Sequence, residues 1–229
     1  MKIKNHLTAV IKKENILGLL NYTKKEYRPY DPGGYLYNLM LKYPLENKFN
    51  DDFIELVYTT LIAWNMNQRG ARLSDFEIFR SSLKEPQSQK IIQELKDLNM
   101  ENLGHKDISK VKDAIGFLFN NLKLVAENKP RLVTYSKTLH FYLPNLLMPI
   151  DRSYTLWFFY NNFNFDKTNI GKQVQIYCDI FEEFRQFAEK YYGNEIFKKF
   201  DDRWNKNIPK MIDNIIIAFV SRERTETDV

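Results

Sequence analysis

Apolar residues recur at helical spacing along most of the chain, and few runs alternate apolar and polar residues as a strand would. The helical segment that ends near residue 64 begins with Asn50 or Asp51 as its predicted N-cap, since both residue types cap helices. Its apolar face is formed by Phe53, Leu56, Val57, Thr60, Leu61 and Trp64. This pattern predicts an all-α fold of roughly eight to eleven helices, at the usual helix length.

Further segments carry recognisable helix starts. Ser74 is the predicted N-cap of the segment that follows it, with Glu77 as the partner in a capping box. Pro86 and Pro209 fall in the first turns of two later segments, where proline is tolerated. The segments 107–127 and 170–192 are amphipathic at the same period. Gly70 is placed to end the helical unit that begins near residue 51.

The string "YDPGGY" at residues 30–35 is a strong turn signal. We predict that it separates an N-terminal extension, residues 1–30, from a single α-helical domain over residues 31–221. The polar residues 222–229 are predicted to form a frayed tail. Two helical lobes with a cleft between them would produce the same pattern.

Charge and cysteine content narrow the class of protein. The formal net charge of +5 and the isoelectric point near 9.0 permit binding to a polyanion such as DNA without requiring it. The single Cys178 excludes an internal disulfide, and the first residues lack the apolar run of a signal peptide, so we expect a cytoplasmic protein. No apolar run approaches about 18 residues, so no membrane association is expected.

The almost wholly apolar stretch 132–159 contains a lysine and a carboxylate that need an explanation. Asp151 follows a proline and is the predicted N-cap of a helix that begins at Arg152. Lys137 is expected near the start of the preceding helix, with Thr134 or Ser136 as its cap. That helix should end near Pro144, so the two helices pack as neighbours. The ordinary readings are a helix cap and a lysine that extends to solvent, and the alternative is a catalytic pair across one cleft.

The order of these elements resembles the core of the helix-hairpin-helix DNA glycosylases, the superfamily of endonuclease III and 8-oxoguanine glycosylase. In that family a glycine-rich hairpin precedes a Lys-Thr-Ala-like helix start, and a Pro-Val-Asp turn precedes the next helix. Here "SKTLHF" is similar to the helix after the hairpin, and "MPIDRSYTLWFF" is similar to the aspartate-bearing turn. Upstream, "FIELVYTTLIAWNMNQ" is similar to an early helix that ends in Asn or Gln at the DNA. The resemblance covers about residues 50–165.

The chain departs from the family at the hairpin, where "KPRLVTYS" stands without a glycine. The family's hairpin donates backbone N–H groups to a phosphate, so this chain must bind the DNA backbone with side chains or not at all. The candidate phosphate contacts are Arg69, Arg72, Lys129, Arg131, Ser136 and Arg152, for which a solvated surface is the ordinary alternative. A single cysteine also excludes the four-cysteine iron–sulfur motif, and no cofactor is expected.

The resemblance implies a DNA N-glycosylase, a hydrolase that flips a modified or damaged base out of double-stranded DNA and releases it. Asp151 would stabilise the oxocarbenium character of the sugar. Lys137, if partly neutral, would attack C1′ and form a Schiff base, which adds lyase activity; if Lys137 is charged, water would be the nucleophile. Base excision in DNA repair, or defence against phage DNA, would be the corresponding roles.

The same resemblance suggests which residues meet the flipped base or the DNA. This set combines aromatic side chains with amides at the end of the early helix: Trp64, Asn65, Asn67, Gln68, Tyr154 and Trp157. The ordinary alternatives are core packing for the aromatic side chains and helix capping for the amides.

Other chemistries have less support in the sequence. The three histidines lack the spacing of metal ligands, and His140, inside an apolar helix, is typical of a hydrogen-bonded core histidine. Asp201 and Asp202 are adjacent and would diverge on a helix, so we expect no metal site. Two alternatives to the enzyme stay open: a non-catalytic helical DNA-binding module, and a helical protein-interaction domain in which Asp151 is only a cap.

Overall fold

The computed structural model describes residues 2–26, 32–67, 72–162, 164–191, 197 and 204–227. Within these ranges the chain forms eleven α-helices and no β-strand, which confirms the predicted all-α fold. The helices are α1 (Leu7–Val10), α2 (Lys13–Glu26), α3 (Pro32–Met40), α4 (Asp51–Ala63), α5 (Phe76–Leu83), α6 (Pro86–Glu94), α7 (His105–Asn121), α8 (Leu132–Tyr142), α9 (Trp157–Tyr160), α10 (Ile170–Tyr191) and α11 (Ile208–Thr227). One turn of π-helix, Arg152–Leu156, precedes α9. In the same ranges no helix has both the length and the apolar character needed to cross a membrane.

Helix starts follow the rules of capping, with one correction. The Asn50 side chain accepts a hydrogen bond from a backbone N–H in the first turn of α4, as predicted. Pro86 opens α6, also as predicted. Ser74, however, does not cap α5, because Asp75 accepts from the Glu77 N–H. The Ser74 hydroxyl instead donates to a carbonyl oxygen beyond the end of α7, 2.6 Å away, which leaves the capping position to its neighbour.

The predicted N-terminal extension is part of the same hydrophobic core as the rest of the chain. Helix α2 packs against α11, and the Glu183 carboxylate of α10 accepts a hydrogen bond from the Leu7 N–H at 2.8 Å. Of the predicted turn signal, Tyr30 and Asp31 lie outside the described residues, and the rest is helical, since α3 begins at Pro32 and buries both following glycines. The buried side chains that tie the extension to the core are Leu7, Ile11, Ile16, Leu19 and Leu20.

The last helix is longer than predicted. Helix α11 has Pro209 in its first turn, as expected, but it continues through Thr227, so residues 222–227 are helical and do not form a frayed tail. Arg222 lies 4.9 Å from the ring centroid of Tyr22 in α2. Arg224 donates to a carbonyl oxygen in the π-turn at 2.6 Å. These arginine contacts hold the polar end of α11 on the protein surface.

Helix α8 lies at the centre of the fold, and its ends are satisfied by distant side chains. Residues 134–142 are all buried, and α8 packs against α4 and α10. The Lys48 ammonium donates to the Phe141 and Tyr142 carbonyl oxygens at 2.7 and 3.2 Å, which caps the C-terminus. Burial lowers the pKa of Lys48 to about 8. The predicted end of the helix before Pro144 is confirmed.

The start of α8 differs from the prediction. The helix begins at Leu132, so Lys137 lies in its second turn and not near its start. The Gln173 side-chain oxygen of α10 accepts from the N–H groups of Arg131 and Leu132 at 2.8 and 3.0 Å. This amide supplies the cap that was expected from Thr134 or Ser136, and the helix therefore starts about one turn earlier.

Gly34 in α3 lies against the indole of Trp204, and this contact yields a stability prediction. A Cβ on Gly34 would lie 2.4 Å from Cζ2 of the indole, which is buried and stacks on Tyr37. We expect Gly34→Ala to lower the free energy of unfolding by about 1–3 kcal/mol in chemical denaturation, because overpacking strains the core.

Gly18→Ala in α2 is the matched control, since a Cβ there meets no atom within 4 Å. Helix propensity should make this variant more stable by about 0.5–1 kcal/mol. Equal effects of the two substitutions would contradict the tight packing at Gly34.

Candidate active site

A hydrogen bond between α8 and the loop after it brings Lys137 and Asp151 together. The Ser136 hydroxyl accepts a hydrogen bond from the Ile150 N–H at 2.9 Å. Ser136 precedes Lys137 and Ile150 precedes Asp151, so this bond holds the two backbone segments side by side. The Lys137 Nζ lies 3.8 Å from the Asp151 Oδ2. The pair that the sequence suggested therefore meets, although Lys137 comes from the second turn of its helix.

Asp151 uses its two carboxylate oxygens differently. Oδ1 accepts hydrogen bonds from the Ser153 and Tyr154 N–H groups at 2.8 and 3.3 Å, which makes Asp151 the predicted N-cap. Oδ2 faces Lys137. The side chain of Asp151 is 35% exposed and that of Lys137 is 10% exposed, so the carboxylate lies on the solvent side of the pair. The helix cap and the ion pair are thus compatible in one residue.

Lys137 is buried beside three other charged side chains. Burial lowers the pKa of its amine, and the negative charges of Asp151 and Asp213 oppose that shift, while Lys210 adds to it. The half-buried ring of Trp64 lies with its centroid 5.3 Å from the Lys137 Nζ, a cation–π distance. Trp64 is therefore a predicted pocket residue that the structure places at the pair.

A second buried ion pair lies in the same charged cluster, and the sequence reasoning did not single it out. The Lys210 Nζ lies 2.5 Å from the Asp213 Oδ2, and both side chains are buried in α11. Asn207, just before α11, and Lys210 and Asp213 in its first two turns recur every three residues beside a run of apolar residues. That stripe of polar residues was the available signal, because a face of a buried helix carries polar side chains only where they find partners.

The buried His140 is a fully hydrogen-bonded core histidine, as the sequence predicted. Its Nδ1 donates to the Leu147 carbonyl at 2.6 Å, and its Nε2 accepts from the Tyr37 hydroxyl at 2.9 Å. The Asn207 amide in turn donates to the Tyr37 oxygen at 2.8 Å. Burial lowers the pKa of His140 to about 3, so the imidazole is neutral at physiological pH. This chain of hydrogen bonds joins α3, α8 and the start of α11 beside the candidate site.

Two of the amides predicted at the DNA interface, Asn65 and Asn67, lie at the exposed end of α4. Asn65 adopts a left-handed backbone conformation with φ of 59°. The Asn65 and Met66 N–H groups donate to the Ile62 and Leu61 carbonyls, the pattern of a Schellman motif. Asn65 therefore has the capping role that was the ordinary alternative, and Asn67 is exposed just beyond it. Gln68 and Arg69, like Gly70, lie outside the described residues.

The other two predicted aromatic residues flank Asp151 on the π-turn and α9. Tyr154 is half-buried, and Trp157 is 38% exposed. The Arg224 guanidinium of α11 lies 5.4 Å from the Tyr154 ring centroid and 5.9 Å from that of Trp157. These side chains therefore form a cationic and aromatic surface beside the exposed side of Asp151.

Some of the predicted phosphate contacts are exposed, and others are hydrogen-bonded within the protein. Arg72 and Lys129 are exposed, and Arg152 donates to the Asn164 side chain at 3.1 Å. Arg131 donates to two carbonyl oxygens at the C-terminus of α7. Ser136 is a correction: its hydroxyl is fully buried and bonded within the loop contact described above, so it cannot reach a phosphate.

The backbone amides at Arg131 and Leu132, where the family resemblance would place a phosphate-binding hairpin, are already hydrogen-bonded. Asn128 lies in a left-handed turn there, but the N–H groups of Arg131 and Leu132 are bound by Gln173. A phosphate would have to displace a buried amide to use them. If this segment binds DNA, side chains must therefore make the contacts.

Neither a metal site nor a comparison with known proteins indicates a function. Among the residues that the structure describes, no group of three or more His, Cys, Asp or Glu side chains is arranged to hold a metal ion, and Asp201 and Asp202 lie outside those ranges. No family model, curated protein or solved structure matches the chain. The functional argument therefore rests on the geometry around Lys137 and Asp151.

The buried neutral His140 predicts a pH dependence of stability. The unfolded imidazole takes up a proton near pH 6.5 and the folded one only near pH 3. As the pH falls below 6.5, wild type should lose about 1.4 kcal/mol of unfolding free energy per pH unit relative to His140→Gln.

Chemical denaturation between pH 7 and pH 5 measures this difference. His105→Gln is the control, because His105 is exposed at the start of α7 and its loss should leave the wild-type slope in place. Parallel stability profiles for wild type and His140→Gln would contradict the neutral buried histidine.

Proposed function

We propose that the protein is a DNA glycosylase-like enzyme that cleaves the N-glycosidic bond of a modified or damaged base. The observation that carries the proposal is that the two carboxylate oxygens of Asp151 have different partners. One accepts hydrogen bonds from two backbone amides, and the other lies 3.8 Å from the buried amine of Lys137. A fixed carboxylate and a desolvated lysine at one opening are the groups that glycosidic cleavage uses.

Asp151 has the properties of an electrostatic stabiliser. Cleavage of the bond between C1′ and the base leaves positive charge on the sugar, and a carboxylate beside C1′ lowers the energy of that state. The backbone amides hold the carboxylate in place, so little reorganisation is needed when the charge develops. Its partial exposure lets a nucleotide approach from the solvent side.

Lys137 has the properties of a nucleophile. Its burial favours the neutral amine, which carries the lone pair needed for attack on C1′. The N–C1′ bond would form as the glycosidic bond breaks, and the departing base would take the bonding electrons and a proton. Ring opening of the sugar would then give a Schiff base that borohydride reduces. The same site with a charged lysine would use water and remain monofunctional.

DNA binding in this proposal relies on side chains. The net charge is +5, and Arg72, Lys129 and Arg152 lie at least partly exposed. Trp64, beside Lys137, would offer a stacking face to an extruded base. Tyr154, Trp157 and Arg224 would meet the strand next to Asp151.

A second candidate is a non-catalytic helical DNA-binding module, and one observation favours it. Gln173 occupies the amides that would bind a phosphate in the glycosylase hairpin. A chain that kept the helical arrangement but lost the hairpin could also have lost the chemistry. In that case Lys137 and Asp151 would be only an ion pair that caps a helix.

Base release separates the two candidates. We expect wild-type protein to release a free base from at least one DNA in a panel of differently modified genomic DNAs and damaged oligonucleotides, read by mass spectrometry of the small-molecule fraction. Asp151→Asn keeps a side-chain oxygen for the cap and removes the charge, so it should lower release about 100-fold or more while DNA binding persists.

Asp75→Asn is the matched control, because Asp75 is also an exposed N-cap and lies on α5, away from the pair. Release by Asp151→Asn at the wild-type rate would rule out the site. No release from any DNA by wild type, with salt-dependent DNA binding intact, would favour the non-catalytic module.

Covalent trapping tests the lysine separately. On a DNA from which base is released, borohydride should trap a wild-type adduct through Lys137, and Lys137→Met should form none. Lys48→Met is the control, because Lys48 is the other buried lysine whose pKa burial lowers. A trapped adduct on Lys137→Met would assign the nucleophile elsewhere, and release without any adduct would indicate water as the nucleophile.

A further inference from the structure

A continuous set of hydrogen bonds leads from Asp151 into the last helix. The Asp151 N–H donates to the Thr155 hydroxyl oxygen at 3.0 Å. The Thr155 hydroxyl donates to the Asp213 Oδ1 at 3.4 Å. The Asp213 Oδ2 then accepts from the Lys210 ammonium at 2.5 Å. Thr155, Asp213 and Lys210 are all buried, so water does not compete for these bonds.

The single proton of the Thr155 hydroxyl fixes which group donates and which accepts in this series of hydrogen bonds. A threonine hydroxyl has one proton to donate, and here that proton points to the Asp213 carboxylate. The lone pairs of the hydroxyl oxygen are then left for the Asp151 N–H. Asp213 thereby fixes the backbone at Asp151, and its own charge is balanced by Lys210. The π-turn adds a further restraint, because the Leu156 N–H donates to the Asp151 carbonyl at 3.1 Å.

Stability is a weak explanation for the Lys210–Asp213 pair. Two charges buried this deeply lose their hydration, and apolar residues of the same volume are often at least as stabilising. The pair does, however, reach the backbone of Asp151 through Thr155, and the Asp151 carboxylate faces Lys137. The charged groups that act on Lys137 are Asp151, Asp213 and Lys210, and the Trp64 ring covers the amine from α4.

We propose that Thr155, Asp213 and Lys210 are positioning residues that hold the Asp151 carboxylate toward Lys137. This inference rests on the proposed function for its catalytic meaning, but the positioning itself is a property of the free protein. Without the Thr155 hydroxyl, the Asp151 N–H loses its acceptor, the carboxylate moves away from Lys137, and the charge of Asp151 acts less strongly on the amine.

Thr155→Val is the direct test, since valine keeps the shape of threonine and removes the hydroxyl; Thr155→Ser restores the hydroxyl. We expect Thr155→Val to lower kcat for base release about 10- to 100-fold with a small change in KM, because the reacting groups are misplaced. Thr155→Ser should recover most of the lost rate. If Thr155 only supported the fold, Thr155→Val and Thr155→Ser proteins of equal stability would have equal kcat.

A second measurement needs no DNA. In protein labelled with 13C at lysine Cε, the Lys137 resonance, assigned by its absence from Lys137→Met, can be titrated with pH. Thr155→Val should lower the titration midpoint of Lys137, because the stabilising charge of Asp151 moves away, whereas Thr155→Ser should match wild type. An unchanged midpoint in folded Thr155→Val would overturn the proposal.

The two measurements fail in different ways. If wild type releases no base, the proposed function is wrong, while the lysine titration still decides whether Thr155 positions Asp151. If Thr155→Val does not fold, Lys210→Met combined with Asp213→Leu removes the acceptor of the Thr155 proton and leaves no unpaired charge. A wild-type kcat in that folded double variant would overturn the roles of Asp213 and Lys210.

Discussion

The burial of a charged helix in the middle of the fold is the constraint on which the rest of the structure depends. Helix α8 has no exposed face from Thr134 to Tyr142, so its two ends and its lysine need partners inside the protein. The buried hydroxyls of Thr134 and Tyr142 are the exceptions in this helix, because neither has a hydrogen-bond partner among the described residues. Gln173 serves its N-terminus, Lys48 serves its C-terminus, and Asp151 faces its ammonium. An unsatisfied buried polar group costs about 1–3 kcal/mol. The surrounding elements are therefore placed where they can supply these partners.

This constraint also explains how the candidate site and the fold are combined. Asp151 caps the turn that follows α8 and at the same time balances the charge of Lys137. A site with both duties is rigid before any substrate arrives, which is the condition for electrostatic catalysis. It also means that a purely structural reading and a catalytic reading share most of their geometry. The chemistry of the pair, and not its position, distinguishes them.

Local signals in the sequence predicted the helices and the two residues of the pair, whereas distant contacts decided the details. Asn50 and Pro86 were readable because a cap or a first-turn proline acts on its own turn. The role of Asp213 was missed because its contact with Thr155 joins segments 58 residues apart. The start of α8 was misplaced because its cap comes from a distant residue, since Gln173 lies 42 residues after Arg131. The N-terminal extension joined the core through α11, which no local pattern indicated.

The pairing of α2 with α11 has a consequence for how the chain acquires its structure. These helices come from opposite ends of the described sequence, and α11 also carries Asp213. During synthesis the ribosome releases α2, α4 and α8 well before α11 emerges. Until then, the apolar face of α2 lacks its partner, and the Thr155 hydroxyl lacks the Asp213 acceptor. The final closure is a long-range contact, which is slow because a large loop must be closed first. The hydrogen bond between Thr155 and Asp213 therefore forms only when α11 has joined the fold.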